Sequence, residues 1–150
     1  MQEINIKGCK ILSHLYYDIE NQVWYRLEED SSVTVGATDI GQTRAGKMVN
    51  VRIKPPGKHV PKNKPIASLE SGKWTGPVPA LIEGEIIQRN EELFDIPELI
   101  NEDPYGKGWI AKLKPSNLQR DLKDLITGEE AVKKLKEYIE REGVECKSCS

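Results

Sequence analysis

Apolar and polar positions alternate along the first ninety residues in runs too short for helices. Val23 to Leu27, centred on Trp24 and Tyr25, predicts one strand, and Ser32 to Thr38, where valines alternate with small or polar residues, predicts a second. Gly36 is expected to interrupt that second strand. Asp39 to Ala45 is helix-permissive. Gly46 then opens a new alternation through Met48, Val49, Val51 and Ile53, which Pro55-Pro56-Gly57 ends. A cationic segment, Lys58 to Lys64, leads into the extended run Ile66 to Glu70, followed by Gly72 and Lys73. Beyond the lysine, Gly76, Pro77 and Pro79 delay regular structure until Ala80 to Ile82. Gly84-Glu85-Ile86-Ile87 then repeats the pattern of Gly46-Lys47-Met48-Val49. Two glycine-led strands on either side of a turn are expected of two similar half-units around an approximate two-fold axis, with the lysine between them.

The last third changes character. A short helix is expected after Asn90, a break at Pro97, a glycine-rich turn over Asp103 to Gly108, and a strand from Trp109 to Leu113. From Asn117 the period becomes helical, with Leu118, Leu122, Leu125 and Ile126 on one face. Thr127-Gly128-Glu129-Glu130 has the form of a capping box opening a second helix, whose buried stripe is Val132, Leu135 and Ile139 and whose stop is Gly143. The expected class is mainly β with C-terminal helices, because the strands are too short and turn-punctuated for a parallel α/β sheet.

Composition narrows the function. One hundred and fifty residues, 37% hydrophobic and 31% charged, suit one compact domain that needs no staples. The 22 basic and 24 acidic residues are interspersed, leaving no basic stripe for a phosphate backbone, so nucleic acid is not an expected partner. No apolar run approaches the ~18 residues of a membrane span, and the N-terminus lacks the apolar block of a signal peptide. A cytoplasmic protein without membrane attachment is expected, and a monomer that binds partners transiently. Three cysteines do not make a disulfide framework and agree with a reducing compartment. Cys9 reads as a small packed residue, and Cys146 and Cys149 as thiols on a polar tail. A Cys-x-x-Cys pair can also be a redox couple or half of a zinc site, so a redox or metal module remains an alternative. His14 and His59, far apart, read as surface or packing residues, and the carboxylate runs as solvated charge.

The segment richest in chemistry is Glu70-Ser71-Gly72-Lys73-Trp74. It places a lysine beside a glycine where two apolar strands must reverse, and glycine tolerates the positive φ of a tight hairpin. A lysine there either solvates a turn or offers its amine to an acylating enzyme. The segment resembles the Glu-Ser-x-Lys hairpin of the glycine cleavage H-protein family, and the resemblance runs from about Tyr17 to Leu125. Trp24-Tyr25-Arg26, Val33 to Asp39 and Leu69 to Lys73 carry it. So does Asn101-Glu102-Asp103-Pro104-Tyr105-Gly106-Lys107-Gly108-Trp109, which matches the family's Asn-x-x-Pro-x-Gly-x-Gly-Trp pattern at every fixed position.

The resemblance implies a lipoyl/biotinyl-type barrel-sandwich hybrid with lipoic acid on Lys73 and no catalysis of its own. Glu70 would help present the lysine to the lipoate-attaching enzyme, with Gly72 and Trp74 flanking it. The implied partners are glycine decarboxylase, aminomethyltransferase and dihydrolipoyl dehydrogenase, between which an aminomethyl group is carried. The expected organisation is an N-terminal segment over 1–16, the carrier domain over 17–126, a helix over 127–143 and a flexible cysteine-containing tail over 144–150. Two departures bear on partner identity. Gly72 and Trp74 stand where the family has Val and Ala, and Gln22-Val23-Trp24 stands for His-Glu-Trp, without its polar pair. Such variants resemble lipoate-binding proteins of a heterodisulfide-reductase-like sulfur oxidation system, whose lipoyl sulfurs would carry sulfur intermediates. The Met-Lys-Met of biotin carriers is absent.

Overall fold

The protein is described by a computed structural model covering residues 3–147. The chain opens with β1 (Glu3–Ile6), β2 (Cys9–Leu12), β3 (Tyr16–Asp18), β4 (Val23–Leu27) and β5 (Val33–Ala37), then the helix α1 (Asp39–Ala45). β6 (Met48–Ile53), β7 (His59–Val60), β8 (Pro65–Ser71), β9 (Thr75–Pro79) and β10 (Gly84–Arg89) follow. Two short helices, α2 (Glu92–Asp95) and α3 (Leu99–Glu102), lead to β11 (Ala111–Pro115), α4 (Leu118–Leu122), β12 (Ile126–Thr127) and the long α5 (Gly128–Glu142).

A seven-stranded antiparallel sheet, in the order β12-β3-β4-β5-β11-β10-β7, packs against a three-stranded sheet, β6-β8-β9. Between them lies one apolar core that includes Val35, Met48, Val51, Leu69, Val78, Ile82 and Ile86. Strand side chains alternate between faces, so β4 sends Val23 and Tyr25 into this core and Trp24 to the other side. There a second core gathers Trp24, Tyr17, Ile40, Leu135 and Ile139 under the β1–β2 hairpin and α5. This architecture is the expected mainly β sandwich with C-terminal helices.

The two glycine-led strands share a detail that supports the expected pseudo-symmetry. β6 shifts register against β8 between Met48 and Asn50, and β10 shifts against β11 between Ile86 and Gln88. Met48 and Ile86 are buried, whereas Val49 and Ile87, the residues at the bulges, are 56% and 42% exposed. The alternation therefore breaks at the same place in both copies, and Val49 is not the core residue that the simple pattern implied.

Four other expectations are corrected. Gly36 does not interrupt β5: it pairs with Trp24 across the sheet, and a Cβ on it would lie 2.5 Å from the indole Cε2. The helix after Asn117 ends at Leu122, and Ile126 belongs to β12, paired with Tyr17. Thr127 forms no capping box: its hydroxyl donates to the Leu15 carbonyl at 2.7 Å, tying β12 to the turn before β3. Finally, Cys9 and Cys146 form a disulfide that joins chain positions 137 residues apart. Val144 and Cys146 are buried, and the Cys146 amide donates to the Lys7 carbonyl at 3.0 Å. Residues 144–147 are thus docked on the body where a flexible tail was expected, and the argument from free thiols to a reducing compartment falls with them. Cys149 lies outside the described residues. Gly143 stops α5 as expected, with φ at 65° and its amide bonded to the Ile139 carbonyl.

Candidate functional site

β8 and β9 form the hairpin that carries the lysine, with Glu70 opposite Thr75 and the Ser71 amide donating to the Trp74 carbonyl at 2.7 Å. Gly72 and Lys73 occupy the tip. The expected reason for glycine there does not hold: Gly72 has no positive φ, and a Cβ on it would meet nothing within 4 Å. The turn is held by Ser71. Its buried hydroxyl donates to the Ala45 carbonyl at 2.6 Å and accepts from the Lys73 amide at 3.3 Å.

Ala45 ends α1, and Gly46 follows it with φ at 91°. Only glycine takes that conformation without strain. The open face of Gly46 is covered by the lysine: an ideal Cβ on Gly46 would lie 3.1 Å from Lys73 Cε and 3.8 Å from its Cδ and Cγ. Asn101, the first residue of the Asn-x-x-Pro motif, holds this turn from behind. Its Nδ2 donates to the Gly46 carbonyl and to Gln42 Oε1, both at 2.9 Å, and its Oδ1 accepts from the Met48 amide at 2.8 Å. Gly108 of the motif keeps the backbone close, since a Cβ on it would lie 2.6 Å from the Leu99 carbonyl oxygen.

Glu70 is exposed, and its carboxylate is 3.5 Å from Asn50 Nδ2. Among the described residues no carboxylate forms an ion pair with the Lys73 amine. Trp74 is 41% exposed and turns its indole over Gly76, helping to wall a cavity of about 340 Å³ that Ala45, Met48 and Arg44 also line. Arg44 bonds the Tyr138 hydroxyl and pairs with Glu142 at 3.4 Å, which links α1 to α5 at this rim. A second cavity, of about 580 Å³, borders Gly46 and Lys47 on one side and Glu145 on the other.

The other candidates lie elsewhere. His59 Nε2 is 2.7 Å from Glu83 Oε2, in a charged cluster with Arg120, Asp121 and Lys62. Burial lowers the pKa of His14, and the charge of Arg26 lowers it further. No group of three or more His, Cys, Asp or Glu suited to a metal ion occurs among the described residues, and no described helix is long and apolar enough to cross a membrane. Gln22 supplies polar contacts where the family's pair is missing. Its buried Oε1 accepts from Thr38 Oγ1 at 2.7 Å, and Thr38 in turn accepts from the Gly41 amide as the N-cap of α1. Gly46 and Asn101 were not expected at the site, although both stood in recognised motifs; their distance from Lys73 in the chain hid the connection.

Comparison with known proteins bears on the family and the fold. The family model described as glycine cleavage H-protein matches residues 15–138. A relative from Aquifex aeolicus, glycine cleavage system H protein 2, is 74% identical over 140 residues, covering 93% of this chain and 87% of its own. A probable glycine cleavage system H protein 2 from Saccharolobus solfataricus is 51% identical over 142 residues, covering 93% and 95%. The crystal structure of a glycine cleavage system H protein from Mycobacterium marinum superposes with a TM-score of 0.72 at 25% identity, covering 89% of this chain and all of that one.

Proposed function

Because the chain belongs to the glycine cleavage H-protein family, we propose that it is a lipoyl-carrying shuttle in glycine decarboxylation, with the lipoyl group in amide linkage to Lys73. The observation that carries this reading is the hairpin: a lysine at its tip, its stem laid on Gly46 and its amine unpaired with any described carboxylate. Acylation removes the charge of a lysine, and here that loss breaks no described ion pair. When bound, the lipoyl group supplies the sulfur pair that takes up and gives off the aminomethyl group of glycine.

The chain's own part is to hold and present. Ser71 fixes the turn, Gly72 leaves the tip unobstructed and Trp74 walls the adjoining cavity. Glu70 offers an exposed carboxylate next to the turn for recognition by the lipoate-attaching enzyme. Glycine decarboxylase, aminomethyltransferase and dihydrolipoyl dehydrogenase would take the arm in turn, and tethering raises its effective concentration at each docked partner. Residues 17–126 form the carrier body, and the chain acts as a cytoplasmic monomer without turnover of its own. The relatives are named for glycine cleavage, and no observation favours the sulfur-carrying alternative.

Intact mass and peptide mapping of protein from its native source test the reading. A lipoyl increment on Lys73 is expected, lost in Lys73→Arg together with carrier activity while the fold is kept. An unmodified Lys73 in active native protein would overturn it.

A further inference from the structure

We infer that Gly46, clamped by Asn101, is a seat that aims the Lys73 amine, so that Asn101 is a positioning residue for acylation of a lysine 28 positions before it. The inference rests on the reading of Lys73 as the lipoylated residue.

The seat is built from three remote segments. Gly46 leaves a bare backbone face, and the aliphatic stem of Lys73 crosses it where a side chain would otherwise project. That face is fixed in place on both sides. The Ala45 carbonyl before it accepts from Ser71 Oγ, and the Met48 amide after it donates to Asn101 Oδ1. The Gly46 carbonyl accepts from Asn101 Nδ2, while its amide closes α1 on the Gln42 carbonyl at 3.0 Å. Asn101 therefore uses both ends of its amide on the turn beneath the lysine, and its remaining Nδ2 hydrogen on Gln42.

A free lysine on a hairpin tip samples many rotamers, and most point its amine away from any one direction. The Lys73 side chain is exposed, but its stem rests on the Gly46 face along Cγ, Cδ and Cε, and that contact favours the rotamers that keep the amine over this face. In the acylation step the uncharged Nζ forms a bond to the carbonyl carbon of an activated lipoyl donor of the acyl-adenylate class. The donor's nucleotide departs with the electrons of the broken bond, and the proton lost from nitrogen passes to a base of the attaching enzyme or to water. Orientation of the nucleophile acts on the rate of this step, whereas recognition of the hairpin surface acts on binding.

The test takes the unmodified full chain as substrate for a lipoate-attaching enzyme supplied with lipoate and ATP, with product followed by intact mass. Asn101→Asp keeps the size and the acceptor but loses both donors, and Gly46→Ala places a methyl on the seat. Each is expected to lower kcat about tenfold with KM for the chain within twofold of wild type. Ser71→Ala is expected to follow them and Ser71→Thr, which keeps the hydroxyl, to restore the rate. Thermal melts establish that each variant is folded at the assay temperature. Independently of any variant, the unmodified wild type is expected to give a nuclear Overhauser contact between the Lys73 Hε and Gly46 Hα protons. Folded variants acylated at the wild-type kcat, a change confined to KM, or absence of that proton contact would overturn the inference. Failure of the wild type to be labelled on Lys73 would instead strike the reading on which it rests.

Discussion

The indole of Trp74 lies across the α-carbon of Gly76, so close that a Cβ on the glycine would come within 2.8 Å of the ring's Cη2 and nearer still to Cζ2. A bulky side chain next to the lysine is thus accommodated by the absence of one two positions on. Its position on the wall of the 340 Å³ cavity depends on that absence.

Gly76→Ala is expected to turn the indole outward and destabilise the protein by about 1–2 kcal/mol, the ordinary effect of an inserted methyl. The same substitution in a Trp74→Ala background should cost only a few tenths, because the partner it strikes is gone. Urea unfolding of the four proteins measures the coupling, and additive losses would mean that the two residues do not touch in solution.

Gly36 and Trp24 form the same kind of pair inside the sheet. The indole is fully buried and its Nε1 donates to the Ala37 carbonyl at 2.9 Å and the Pro104 carbonyl at 3.0 Å. Neither bond survives if the ring is displaced. Gly36→Ala is expected to cost about 3 kcal/mol, at the upper end for overpacking, seen as a lower urea midpoint with an unchanged slope.

The Cys9–Cys146 bond closes nearly the whole chain into a loop. Chain-entropy arguments assign such a loop roughly 5 kcal/mol, and measured values fall between about 2 and 5. Reduction, or Cys9→Ala, is expected to lower Tm by about 5–20 °C in a domain of this size. Thiol titration of the unfolded, unreduced protein provides the check. Two thiols in excess of Cys149 would show that the bond does not form.

Asp121 has no exposed side-chain surface, and Arg120 and Lys62 lie 2.9 Å and 3.3 Å from its Oδ1, while its Oδ2 accepts from the Glu83 amide. Burial acts to raise its pKa, but the bonds from Arg120, Glu83 and Lys62 outweigh it and hold the carboxyl below its usual value. Glu83 is lowered too, by His59 first and then Arg120. A carboxylate depressed in the folded state contributes stability that is complete above its unfolded pKa, about 4, and is lost as pH falls through the folded value. Asp121→Asn is therefore expected to cost about 1–3 kcal/mol at pH 7, discounted for the partly exposed cations. The difference from wild type should shrink in chemical denaturation below about pH 4; a difference independent of pH would refute the charge-based account.

Much of the carrier body was legible because it is local. The alternation in Val23 to Leu27 and Val33 to Ala37, the turn at Pro55-Pro56-Gly57 and the stop at Gly143 are each decided by a few neighbouring residues. The bulges at Val49 and Ile87 were not legible, because a pattern of apolar residues does not reveal where a partner strand skips one. Thr127 carried a capping signature and yet bonds Leu15, since a cap competes with whatever carbonyl the tertiary structure brings near.

The sequence by itself determined the strand-rich class and the family, and it singled out Lys73 as the candidate site, because these reside in residue types, their spacing and a contiguous motif. Only the tertiary structure decided that Gly46 lies against that lysine, that Asn101 bonds Gly46 and that Cys9 meets Cys146. The physical reason is the same in each case. Residues 27, 55 and 137 positions apart become neighbours through sheet closure and the packing of the two chain ends on a shared second core. Those are properties of how surfaces fit, and no local pattern records them.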